Sequence, residues 1–205
     1  MSDSEIDRRE LLRRVYTISV AGFVIAPERV FAAQAVVQKA AKAAGKAYAP
    51  KFFTAGEWAT VRTLSDIVIP ADERSGSASD ALAPEFIDFI LDDPLAEPRD
   101  RERLQTRMRG GLAWLERECV RRCGKGFAAA TSDERKPLLE DIAWPDKARP
   151  EMEAGASFFT LFRDLVATGF WSSKIGVEDL RFMGNTFVAE WKGCPAEVLS
   201  KAGLA

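Results

Sequence analysis

Apolar residues in this chain recur at steps of three and four and nowhere sustain a strand-like alternation, which restricts the fold to helices packed on helices. The longest run is Leu104, Met108, Leu112, Leu115 and Cys119, with charges between them. It predicts a helix from about Asp100 to Cys123, stopped by Gly124. Upstream, Trp58, Val61, Leu64, Ile67 and Val68 share one helical face. That helix opens on a Thr54–Glu57 capping box with Phe53 stapled to Trp58, and Pro70 closes it by disfavouring αR at Ile69. Pro84 suits the first position of a further helix that buries Phe86, Phe89 and Ile90. Ser132, with Asp133 and Glu134 after it, starts a short helix carrying Leu138, Leu139 and Ile142. Trp144-Pro145 and Arg149-Pro150 mark the turns that follow. Phe158, Leu161, Phe162, Leu165 and Val166 form the most apolar face of the chain, on a helix ended by Gly169. Pro195 opens a last short helix that stops at Gly203. The segment 71–83, rich in Asp, Ser, Gly and Ala, reads as an exposed loop. The expected fold is therefore an all-α, small irregular or orthogonal bundle with an irregular, aromatic-rich C-terminal segment.

Composition bears on function more than on fold. The 205 residues contain 29 Lys+Arg against 31 Asp+Glu, a formal net charge of -2, so no basic surplus exists from which to build a face for nucleic acid. There is no histidine. This removes the usual general base near neutral pH, the Ser-His-Asp and Cys-His nucleophile pairs and the commonest zinc ligand. Catalysis by carboxylates, lysine or a bound flavin stays open. No GxGxxG follows a strand and no Walker loop is present, so the chain has no recognisable flavin, nicotinamide or nucleotide site of its own. Asp88, Asp92 and Asp93 end a helix and Glu178 and Asp179 lie at a helical turn, a pattern of solvated charge rather than a catalytic pair. Cys119 and Cys123 are spaced i, i+4 and read as small apolar residues of a packing face, not as a metal site. No catalytic, cofactor-binding or metal-binding residue is expected.

The N-terminus has the layout of an address. Arg8 and Arg9 precede Leu11, Leu12 and Arg13, and an uncharged run follows from Val15 to Ala26. The run is roughly 12 residues, about 18 Å as a helix, against a hydrocarbon core of about 30 Å. The pattern RRELLR looks like a twin-arginine signal, whose pathway exports folded proteins, although Asp7 stands where Ser or Thr is usual. Ala33-Gln34-Ala35 offers the A-x-A pattern of a signal peptidase site. Retention of this stretch as an attached amphipathic helix is the alternative, and the sequence does not decide between them. The expected organisation is a signal segment over 1–35, a linker over 36–50 that is poor in large apolar groups, and a helical domain over 51–205.

The C-terminal rings Phe170, Trp171, Phe182, Phe187 and Trp191 are many for an irregular segment. They form either a satellite core or a contact patch for another protein, and the lack of catalytic apparatus favours the patch. Cys194, outside the long helix in a chain bound for an oxidising compartment, is free to pair with a helix cysteine or with a partner.

Three stretches resemble the small subunit, subunit 3 or gamma, of flavin-dependent, membrane-associated sugar and sugar-acid dehydrogenases typified by gluconate 2-dehydrogenase. They are FFTAGEWATVRTLSDIVIPADERSGSASDALAPEFIDFIL from Phe52, FFTLFRDLVATGFWSSKIG from Phe158 and RFMGNTFVAEWKGCP from Arg181. The resemblance implies an accessory, non-catalytic chain. Its partners would be a large subunit similar to the glucose-methanol-choline oxidoreductases that holds FAD, a cytochrome c subunit whose haem takes the electrons, and the twin-arginine translocase. Some family members accompany glucoside 3-dehydrogenases, so the substrate belongs to the partner. The expected location is the periplasm, at the membrane through the complex. The docking surface is expected at Phe170, Trp171, Ser172 and Trp191, with Cys194 available for an intersubunit disulfide. An independent periplasmic binding or structural module is the competing class.

Overall fold

Among the described residues there are eight α-helices, in chain order α1 (Pro27–Ala43), α2 (Ala55–Val68), α3 (Ala83–Asp92), α4 (Pro98–Cys123), α5 (Ser132–Ile142), α6 (Glu153–Trp171), α7 (Lys174–Asp179) and α8 (Ala196–Lys201). Single 3-10 turns occupy Phe127–Ala129, Pro145–Lys147 and Pro150–Met152. The computed structural model describes residues 27–43, 48–181, 189–190 and 193–203. Among these there is no strand, and the all-α expectation holds.

Local chemistry sets most of the helix ends. Thr54 Oγ1 accepts from Glu57 N–H while Glu57 Oε2 accepts from Thr54 N–H at 2.8 Å, with Phe53 and Trp58 rings 6.1 Å apart across the box. Gly124 takes a left-handed φ of 72° and returns its N–H to Val120 O, closing α4. Helix α5 starts at Ser132 as expected, and Thr131 caps it, because Thr131 and Glu134 form a second capping box.

Helix α6 is the hub. Its buried Phe158, Leu161, Phe162, Leu165, Val166 and Phe170 occupy more than one face, and α1 to α5 and α7 all pack on it. Gly169 does not end the helix, which continues to Trp171. A Cβ on Gly169 would lie 3.2 Å from Ala83 Cα and 3.0 Å from a Phe86 ring carbon, so this glycine serves the close approach of α3 rather than a cap.

Further expectations need correction. Residues 36–43, expected to be linker, are helical and belong to α1. The small side chains of Ala33 and Val37 bring α1 close against the core, so large apolar groups are not needed for it to dock. The segment 71–83 is only partly exposed. Ala78 and Ala81 are buried, and Asp66 holds Ser79 through its N–H and hydroxyl at 2.8 Å each.

Helix α3 is buried almost all round, and its polar residues must be paired. Asp88, read as a solvated helix-end charge, is fully buried instead. Its Oδ2 accepts from Tyr48 Oη at 2.7 Å and Lys51 N–H at 2.8 Å, and its Oδ1 from Phe52 N–H at 3.0 Å and Phe53 N–H at 3.3 Å. The carboxylate thus supplies the acceptors that the non-helical segment before α2 lacks. Burial, and then the bond to Asp88, pushes the Tyr48 phenol far above its ordinary range. Arg109 adds a second tie, stacking 4.5 Å from the Phe52 ring centroid and donating to Phe52 O at 3.0 Å.

Asp88→Ala strands a phenol and three backbone N–H groups, and the expected cost is about 3 kcal/mol. Thermal melts should then fall by roughly 6–12 °C. Asp92→Ala, on the exposed side of the same helix, should stay within about 0.5 kcal/mol of wild type. Equal losses in the two variants would show that the carboxylate is not the clamp.

Candidate functional site at the α6–α7 corner

The chain leaves the core at the C-terminal end of α6, and the five residues 169–173 divide the work there. Phe170 is 1% exposed, whereas Trp171 beside it is 40% exposed. The two rings meet edge to face at a centroid distance of 4.9 Å and an interplanar angle of 88°, so the buried ring fixes the exposed one. Phe170, expected on a docking surface, is therefore a core residue. Successive residues of a helix point about 100° apart, and a segment read as irregular gave no means of separating them.

Ser172 is half-buried, and its hydroxyl accepts from Gln34 Nε2 at 3.0 Å; Gln34 also donates to Gly169 O at 2.7 Å. Ser173 caps α7, its Oγ accepting from Gly176 N–H at 3.1 Å. A Cβ on Gly176 would overlap the carbonyl of Phe170, so only glycine lets α7 fold back this tightly on the end of α6.

The loop between α2 and α3 reaches the same corner. Arg74 Nη2 donates to Asp179 O at 2.8 Å and stands 2.9 Å from Asp179 Oδ1. Asp72 braces the arginine, its Oδ1 accepting from the N–H groups of Arg74 and Ser75 at 2.8 Å each, and those bonds hold its carboxyl below the usual range. An open hollow of about 470 Å³ results, lined by Arg74, Trp171, Asp179, Leu180 and Arg181. A second, of about 390 Å³, lies between α1 and α7 and is lined by Gln38, Asp80, Ala81, Leu82, Ser173, Lys174 and Ile175. Leu82 closes it in a left-handed conformation with φ 60°, which costs a non-glycine residue about 1–2 kcal/mol. The corner therefore presents an anchored indole, exposed Leu180 and the cations Arg74 and Arg181, the chemistry of a protein contact.

Away from the corner, several titratable groups are engaged within the fold. Glu118 accepts from Arg121 and Arg122, which pull its carboxyl down to about 2, and Arg122 continues to Asp141 at 2.8 Å. Glu85, buried on α3, pairs with Arg62 at 3.3 Å through Oε1, while its Oε2 finds no donor among the described residues and burial raises its pKa. Cys119 and Cys123 have sulfurs 3.7 Å apart as free thiols, and burial pushes Cys119 up to about 12. Cys194 is free and exposed. No group of three metal-ligating side chains occurs among the described residues, and no helix among them is long and apolar enough to cross a membrane.

The remaining candidate residues are scattered. Ala33 is buried in α1 and Ala35 lies on its exposed side. Arg8, Arg9, Leu11, Leu12 and Trp191, with Phe182 and Phe187, lie outside the described residues.

The description "Gluconate 2-dehydrogenase subunit 3" belongs to a family model that matches residues 55–190, from the first residue of α2 past α7. The chain belongs to this family. No curated protein and no solved structure matches it. The matched residues include α6, α7 and the Arg74 loop, while Gln34 lies before them. Of the residues brought together at the corner, Trp171 and Ser172 were among the sequence candidates, whereas Gln34, Arg74, Asp179 and Arg181 were not candidates for it. Gln34 had been assigned to a leader, and an ion pair between residues 105 positions apart leaves no spacing signal.

Gly176→Ala should force α7 off Phe170 and cost about 1–3 kcal/mol. Gly56→Ala, at an open position in α2, should match or exceed wild type in thermal melts. A Gly176→Ala protein that melts like wild type would show that α7 is not held against α6.

Proposed function

We propose that this chain is the non-catalytic small subunit of a periplasmic or membrane-associated, FAD-dependent sugar or sugar-acid dehydrogenase. In this reading it stabilises a large flavin subunit of the glucose-methanol-choline type and carries it across the membrane on a twin-arginine signal. FAD resides in the large subunit and haem in a cytochrome c subunit; this chain contributes a surface. The observation that carries the reading is the family match over residues 55–190, within which the one solvent-facing tryptophan of α6, Trp171, stands on a rigidly held corner.

The proposed order of events follows from what each part can do. The large subunit folds around FAD in the cytoplasm, docks on the α6–α7 corner, and the pair is exported together because only this chain supplies the Arg8-Arg9 pair. Burying Trp171 would contribute apolar area and a single fixed orientation, while Arg74 and Arg181 would meet acidic or carbonyl groups at the rim. Cys194, exposed and near the C-terminus, is the thiol placed to form an intersubunit disulfide in an oxidising compartment.

Arg8→Lys with Arg9→Lys should leave both this chain and the flavin subunit in the cytoplasm, read by fractionation and flavin absorbance. Normal export of the flavin subunit in that mutant would sink the co-export reading. Trp171→Ala should reduce co-purification of the flavin subunit at least tenfold, the loss for an interfacial anchor worth about 2 kcal/mol. Unchanged co-purification would remove Trp171 from the interface.

A further inference from the structure

Sequence and structure pull apart at Ala33-Gln34-Ala35. Those residues have the spacing a signal peptidase reads, yet they occupy the middle of α1, where Ala33 is fully buried. Gln34 faces inward and donates to Gly169 O at 2.7 Å and to Ser172 Oγ at 3.0 Å. One turn earlier, Arg29 Nε donates at 2.8 Å to Asp93 Oδ2, a carboxylate whose side chain is 6% exposed. One turn later, Val37 is buried in the core. Four successive inward positions thus hold α1 over α3 and α6 on both sides of the bond after Ala35.

Proteases take their substrates extended, so cutting a folded chain depends on how often the segment opens. Opening at Ala35 would require unwinding α1, breaking the Arg29 pair and withdrawing Gln34 from a buried carbonyl, which leaves polar groups unsatisfied on both sides. Removal of residues 27–35 would also take away the donor that holds Ser172, next to the exposed Trp171.

We infer that α1 is a permanent element of the mature subunit, that the bond after Ala35 is not a processing site, and that residues 27–35 buttress the α6–α7 corner from behind. The inference rests on the export reading only for when a peptidase would meet the chain, which then arrives already folded with α1 docked. It assigns the partner a surface composed of α6, α7 and the retained α1, instead of a corner uncovered by cleavage.

The test is the intact mass of the full chain expressed in its native host, with melting of point variants of the same chain. The mass should include Pro27–Ala35; a chain beginning at Val36 overturns the inference. Arg29→Ala and Gln34→Ala should each lower Tm by about 2–4 °C. Phe31→Ala, on the same helix but 70% exposed, should leave it unchanged. Wild-type melting of both inward variants means that α1 is not docked and overturns the inference whatever the mass. The compartment of the recovered chain tests export separately. Confinement to the cytoplasm sinks the export reading alone, and retention is then decided by the melts.

Discussion

The burial of more than one face of α6 is the constraint from which the other features follow. A helix with Phe162 and Val166 wholly removed from solvent must be covered by neighbours at contact distance, and each such side chain stabilises by about 1.5–3 kcal/mol against the entropy of ordering it. Close cover requires small residues where helices cross. Gly169 lies against Ala83, Gly111 of α4 lies under the Phe158 ring, and Ala33 brings in α1. Larger residues at these points would overpack the core, so the positions of α1, α3 and α4 are fixed by what is missing from their side chains.

Packing this dense excludes water from backbone groups that have no helical partner, and polar side chains replace it. Asp88 provides acceptors for the N–H groups of residues 51–53, and Gln34 provides a donor to the Gly169 carbonyl. Each is a polar group placed on an inward face for the sake of irregular backbone elsewhere in the chain. Their distances in sequence, 36 residues from Asp88 to Phe52 and 135 from Gln34 to Gly169, make them long-range ties that join the segments flanking the hub.

How much was legible in the sequence depended on the range of the interaction. Capping boxes, the staple and the left-handed Gly124 act over three or four residues, and their sequence signals survived intact in the fold. Gly169 carries the same letter as Gly124 but answers to Ala83 of α3, 86 positions away, so the local rule gave the wrong end to α6. Small apolar residues misled in the same way at α1, where Ala33 and Val37 dock by closeness and not by size. Asp88 looked like one of a group of helix-end carboxylates because the group is close in sequence; the burial of α3 almost all round takes in Asp88 and leaves Asp92 exposed. At the corner, aromatic content marked the region, while the division between buried Phe170 and exposed Trp171 depended on the phase of a helix that had been ended too early.

That phase is what separates Trp171 from Phe170. A tryptophan on an exposed, mobile segment would lose side-chain and backbone freedom on docking, at a cost of about 0.5–1.5 kcal/mol for the side chain alone. Here the ring is already fixed edge-on by Phe170, the helix beneath it by Gly169 and Ser172, and the flanking α7 by Ser173, Gly176 and the Arg74–Asp179 pair. The left-handed Leu82 and the ties from three separated segments converge on this corner and hold the Trp171 ring at its surface in one orientation. Preorganisation of this kind lowers the freedom that the Trp171 indole would lose if another surface covered it.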